Sequence, residues 1–260
     1  MPKDSKGALQ IERERLLEKV SDFKEKFKTD GDHLVQDVFP NKILELEELF
    51  QTMCLSKVTD MHCDLNIPVP DPILFSNDND SGEPQSKKRK SDNDHQNSEN
   101  NVSGTPVMVL PNGAVPCNKK LVVLSERMKP LIWELIDHAN LLKMWIAFLI
   151  PKIEDGNNFG VSIQEDTMGE ARQVESEAAS YLEQVSRYFI TRAKLVSKVA
   201  KYPHISDYRQ AVKELDEKGF ISLRLICCEL RNHYASLHDL VLKNMDKIKK
   251  PRNANAQSLY

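Results

Sequence analysis

Apolar residues recur along this chain in steps of three and four, broken by two short interruptions and one long polar stretch. The rhythm is clearest from Ala171, where Ala171, Val174, Ala178, Tyr181, Val185, Tyr188, Arg192, Leu195 and Val199 follow one another without a slip. Positions so spaced share one face of a helix with 3.6 residues per turn. Upstream, Leu121, Leu124, Met128, Leu131, Leu135, Ala139, Leu142, Ile146 and Leu149 make a second such face. Downstream, a third comprises Tyr208, Val212, Leu215, Leu223, Ile226, Leu230, Tyr234, Leu237, Val241 and Ile248. Near the start, Leu9, Leu16, Val20, Phe23 and Phe27 lead into Leu34, Val38, Ile43, Leu46, Phe50 and Met53.

The boundaries follow from local chemistry. Proline removes a helix hydrogen bond, so Pro40 predicts a kink or break in the first block, and Pro251 ends the last. Pro130 lies within a stripe that continues on both sides, which predicts a bend. Ser162 and Glu165 have the S-x-x-E spacing of a capping box, which predicts that the third helix starts there and runs to Lys201. That is roughly 60 Å of helix at about 1.5 Å per residue. Helices of this length need partners along their apolar stripes, so the pattern predicts an all-α, up-and-down four-helix bundle.

One connection is unlike the others. Residues 76–106 hold no aromatic residue and one large aliphatic, too little to offset ordering entropy, which predicts disorder. Before it, "NIPVPDPIL" reads as extended because its prolines restrict themselves and the residues preceding them. The organisation is then a first helical block at 1–70, a linker at 71–116, and helices two to four at 117–260. In an up-and-down bundle the loop between helices two and three lies at the same end as the C-terminus. "EDGNNFG" and the tail at 251–260 should therefore share one end, with the linker at the other.

Composition narrows the function. The 260 residues carry a net charge of −3, so nothing global points to nucleic acid. The longest apolar run, Met144 to Ile150, is too short to cross a membrane, and the first residues lack the apolar core of a signal peptide. Five cysteines without C-x-x-C spacing fit free thiols in a reducing compartment. In "PKIEDGNNFGVSIQED", Asp155, Asn157, Gly160 and Asp166 fall on calcium-loop positions, but Phe159 stands where an oxygen ligand is needed, which favours a plain loop. "GVSIQ" fails the nucleophile-elbow pattern, and no histidine has a glutamate three residues before it, as di-iron bundles require. Cys54, His62 and Cys63 lack a fourth ligand. No cofactor, metal or catalytic residue is expected.

Three features invite a binding role. Lys87, Lys88, Arg89 and Lys90 form a basic run in the accessible linker, the size of a nuclear localisation signal. Lys194, Lys198 and Lys201 lie along one side of helix three, a solvated face unless the bundle oligomerises with that side inward. The tail ends in Ser258, Leu259 and Tyr260, an apolar-aromatic terminus able to act as a docking peptide.

"PKIEDGNNFGVSIQED", "VESEAASYLEQVSRYFITRAKLVSKVAKYPH" and "ISLRLICCELRNHYASLHDLVLKNMDKIKKPR", with "FPNKILELEELF" and "NIPVPDPIL", closely resemble the REG proteasome activators, or eleven-S regulators. The likeness is greatest to the nuclear, homo-oligomeric member. The resemblance implies a ring of seven four-helix subunits capping the proteasome core particle, without ATP and without catalysis of its own. It implies an activation loop of Lys152, Ile153, Glu154, Asp155, Gly156, Asn157, Asn158, Phe159, Gly160 and Val161. Asn157 matches the asparagine at which substitution abolishes activation, and Leu259 and Tyr260 match the docking terminus. The expected partners are the core particle, further copies of the chain and nuclear protein substrates, with neither nucleic acid nor membrane; the expected location is the nucleus and some cytoplasm. The alternative is a helical scaffold that only binds other proteins.

Overall fold

The computed structural model describes residues 3–71, 110–151 and 158–251, with side chains omitted at 3–9, 158 and 159. Helix α1 (Lys3–His33) continues through a π-helical turn (Leu34–Val38) into α2 (Phe39–Thr52). After short 3-10 turns at Leu55–Lys57 and Thr59–Met61 come α3 (Lys119–Leu149), α4 (Asn158–Lys201) and α5 (Ser206–Lys249). The described residues contain no strand. With α1 and α2 as one rod, four rods pack in the cyclic order first rod, α3, α4, α5.

The stripes read from the sequence supply the interior. Phe39, Leu46, Met128, Ile132, Leu135, Leu142, Trp145, Ile226, Leu230 and Tyr234 are each at most 2% exposed. Burying a large apolar side chain contributes about 1.5–3 kcal/mol, so this layer is the main source of bundle stability. Ala171, Val174, Ala178, Val185 and Val199 of α4 are buried at the expected spacing. A smaller cluster of Leu65, Ile67, Val199 and Val212 covers the linker end, where Arg209 Nη2 donates to the Ile67 carbonyl at 2.8 Å.

Pro40 does not end the first rod. It occupies the first turn of α2, and the turn before it widens so that the Phe39 N–H reaches the Leu34 carbonyl, five residues back. The wide turn accommodates the proline while Leu34, Val35 and Phe39 stay buried. Pro130 lies inside α3, which runs through it.

Two expectations change. Helix α4 starts at Asn158, so Ser162 and Glu165 lie inside it and form no capping box. A glycine inside a helix costs about 1 kcal/mol, and the packing of Ile163 and Met168 on the core with the hydrogen bonds of Gln164 outweighs Gly160. The stripe of α1 is likewise only partly covered: Leu16, Val20 and Phe23 are 57%, 50% and 52% exposed. Phe27 packs edge-on against Phe148 at 5.9 Å, and Lys249 pairs with Asp32 at 2.6 Å. Those contacts, with Lys24 over the Phe148 ring at 5.9 Å, place residues 24–32 level with the last turns of α3 and α5, and the turns carrying Leu16 and Val20 are largely uncovered by the described residues.

Candidate functional site

Three stretches of chain leave the bundle at one end. Helix α3 finishes at Leu149, α4 begins at Asn158, and α5 finishes at Lys249, so both ends of the 150–157 connection and the root of the tail come together. The last carbonyls of any α-helix lack intrahelical donors and need partners when buried. Here one side chain serves two helices. Gln164, wholly buried in the second turn of α4, donates through Nε2 to the Leu149 carbonyl at 3.2 Å and the Ile248 carbonyl at 2.7 Å. Its Oε1 has no hydrogen-bond partner among the described residues. Pro151 and Pro251 follow the two helix ends and stop both.

A second polar knot holds the linker end. Asp216 has no exposure and accepts from Asn118 Nδ2 at 2.9 Å, Tyr188 Oη at 2.7 Å and Arg192 Nε at 2.9 Å. Asn118 caps the start of α3, accepting from the Leu121 N–H at 3.4 Å, and also donates to the Met61 carbonyl at 2.7 Å. Arg192 reaches the Pro116 carbonyl with Nη1 at 3.4 Å. The chain on both sides of residues 72–109 is thereby fastened to α4 and α5. Burial, reinforced by the hydrogen bond to Asp216, pushes the Tyr188 hydroxyl far above its ordinary range, so it stays a donor.

Sequence reading missed Gln164, Asn118 and Asp216. The available signal was a polar residue on a buried stripe, because such a residue must find a partner to be tolerated. Gln164 stands seven residues before Ala171, and Asp216 four after Val212.

Of the expected loop, Lys152, Ile153, Glu154, Asp155, Gly156 and Asn157 lie outside the described residues. Asn158, Phe159, Gly160 and Val161 belong to the first turn of α4, so this part of the expected loop is helical. Ser258, Leu259 and Tyr260, and Lys87, Lys88, Arg89 and Lys90, also lie outside the described residues. Lys194 is exposed on α4, while Lys198 and Lys201 sit over the rings of Tyr208 and Tyr202 at 5.5 and 5.2 Å. Counted from Asp155, the calcium pattern is already helical at its fourth position, Asn158, which is incompatible with a twelve-residue loop. His62 is held by Glu217 at 2.6 Å, and the described residues contain no cluster able to hold a metal. Burial pushes the Cys227 thiol up to about 11.

Long helices fastened by polar knots at both ends, with both flanks of one connection and the root of the C-terminal segment at one of them, define an all-helical bundle module. Comparison with known proteins gives that class its family. The sequence model described as Proteasome activator PA28, C-terminal, matches residues 114–258, and the one described as Proteasome activator PA28, N-terminal, matches residues 15–72. Proteasome activator complex subunit 3 of Homo sapiens is 53% identical over 97% of this chain and 98% of its own. Its Gallus gallus counterpart is 54% identical over 93% and 95%. The 11S subunit PA28 of the Plasmodium falciparum proteasome superposes with a TM-score of 0.67 at 30% identity, covering 92% of this chain and 95% of that one. A mutated P26 activator in complex with an archaeal 20S proteasome shares the fold, with a TM-score of 0.58 at 13% identity over 92% and 99%. This chain belongs to the PA28 proteasome activator family. Its relatives are named as activators, and it is a regulator of a peptidase rather than an enzyme.

Proposed function

We propose that this chain assembles into a seven-membered ring that docks on the proteasome core particle and opens its gate without ATP. The ring stimulates hydrolysis of peptides and degradation of nuclear proteins independently of ubiquitin. The observation that carries this reading is that Gln164 ties together the helix ends from which the loop and the tail depart. Gate opening needs both segments to touch one partner, and a shared origin at one end of a rigid bundle meets that need. The tails, through Ser258, Leu259 and Tyr260, provide affinity. The loop at 152–157, with Asn157 foremost, binds the open arrangement of the gate better than the closed one and so shifts its population. Exposed apolar side chains on separate helices, Trp133 and Val123 of α3 and Leu225 and Leu242 of α5, support lateral contacts between copies. Lys194 faces the channel of the ring and filters its contents by charge.

Fluorogenic-peptide hydrolysis by latent core particle, with native mass spectrometry of the activator, tests these roles together. The wild-type chain has a mass near seven times 29.7 kDa and stimulates hydrolysis. Asn157→Tyr docks without stimulating, removal of 258–260 abolishes both, and Lys194→Glu changes which peptides are favoured. Undiminished stimulation by the Asn157 and tail variants would refute the assignment of loop and tail, and a monomeric mass would refute the ring. An unaltered peptide series would remove Lys194 from the channel. Residues Lys87, Lys88, Arg89 and Lys90 direct nuclear import. A fluorescent fusion with all four replaced by alanine is expected in the cytoplasm, and its retention in the nucleus would place the signal elsewhere.

A further inference from the structure

Gln164 does more than satisfy two carbonyls. Leu149 is the final residue of α3, separated from the loop by Ile150 and Pro151, and Ile248 is the penultimate residue of α5, one short step from the tail. Gln164 itself lies in α4, six residues after the helix emerges from the loop. Loop entrance, loop exit and tail root thus meet on one wholly buried amide. The interface between α5 and the first rod is pinned at the same level by Lys249 and Asp32 at 2.6 Å, so α5 is held from two sides.

We infer that Gln164 is the positioning residue that fixes where the loop stands relative to the docked tail. This rests on the reading of loop and tail given above. A tail docks as a peptide and tolerates displacement of its root. The loop must meet the gate at a set height, and a displacement of about 1 Å is enough to disable a preorganised contact. Loss of the Nε2 donors leaves the Leu149 and Ile248 carbonyls unpaired in a buried position, and the three chain ends relax apart. Docking therefore survives and activation does not.

Three variants of the full chain test this in the peptidase assay, with docking measured separately by competition against wild-type ring. Gln164→Met keeps the length and removes both donors. It is expected to form the ring, to dock within about threefold of wild type, and to lose stimulation at least about tenfold, as expected for a loosened preorganised contact. Gln164→Lys returns N–H donors and places a cation at two helix C-termini, where the dipole favours it. It is expected to recover at least half of the stimulation. Asn118→Leu removes a buried amide of the same kind at the linker end and is expected to lower thermal stability while stimulating like wild type.

Full stimulation by Gln164→Met, or losses of stimulation that merely follow thermal stability across all three variants, overturns the positioning role. Failure of Gln164→Met to assemble leaves Gln164→Lys to decide, because a lysine that assembles and docks without stimulating also overturns it. A wild-type ring that does not stimulate refutes instead the functional reading beneath.

Discussion

Gly31 shows how two effects of opposite sign are weighed at one position. It lies inside α1, where glycine costs about 1 kcal/mol relative to alanine. A Cβ there would overlap the Trp145 indole, which is 1% exposed and has nowhere to move. Overpacking of that kind costs about 1–3 kcal/mol, so the clash exceeds the gain in helix propensity. Gly31→Ala is expected to destabilise by up to about 2 kcal/mol in denaturant unfolding, the clash less the propensity gain. Gly169 in α4 has open space around its missing Cβ, so Gly169→Ala is expected to stabilise by about 0.5–1 kcal/mol. The same shift from both substitutions would mean that helix propensity alone governs these sites. Asp216 and Arg192 illustrate the complementary rule for charge, since Asn118, Tyr188 and Pro116 add hydrogen bonds that support the buried pair and leave Arg192 Nη2 without a partner among the described residues.

At the scale of elements, what was legible depended on whether the deciding information is local. The stripe from Ala171 to Val199 could be read off because three-and-four spacing and continuous burial describe the same face. The stripe of Leu16, Val20 and Phe23 has the same spacing, but spacing reports which face is apolar and not whether another helix is long enough to reach it. The onset of α4 was misplaced because S-x-x-E is also an ordinary helix-interior sequence, and packing of Ile163 and Met168 with the hydrogen bonds of Gln164 extends the helix across Gly160. Pro40 was expected to kink or break the first rod, and a widened turn beside it keeps the rod continuous because Leu34 and Phe39 are both drawn into the core. That the ends of α3 and α5 and the start of α4 lie at one end of the bundle was recoverable, since alternating helices leave one choice. The residue that ties them was not, because Gln164 acquires its meaning from Leu149 and Ile248, 15 and 84 residues away.

For the whole molecule, the proposed ring turns weak contacts into a strong one. A single short tail orders a few residues and offers little area, so its affinity alone is small. Once one tail of a ring is docked, the others are held near their pockets at an effective concentration of order millimolar, and each further contact multiplies the binding constant. Affinity should therefore depend on the number of tails much more steeply than in proportion. Rings assembled from mixtures of the full chain and a chain ending at Pro251 test this, because the bundle and the Gln164 knot are retained in both. With half of the chains shortened, the concentration giving half-maximal peptidase stimulation is expected to rise by about tenfold or more, as the loss of several linked contacts requires. Stimulation at saturation should fall much less, because every subunit still carries its loop. A rise of only about twofold would show that tails act one at a time, and an unchanged midpoint would show that affinity resides elsewhere on the ring.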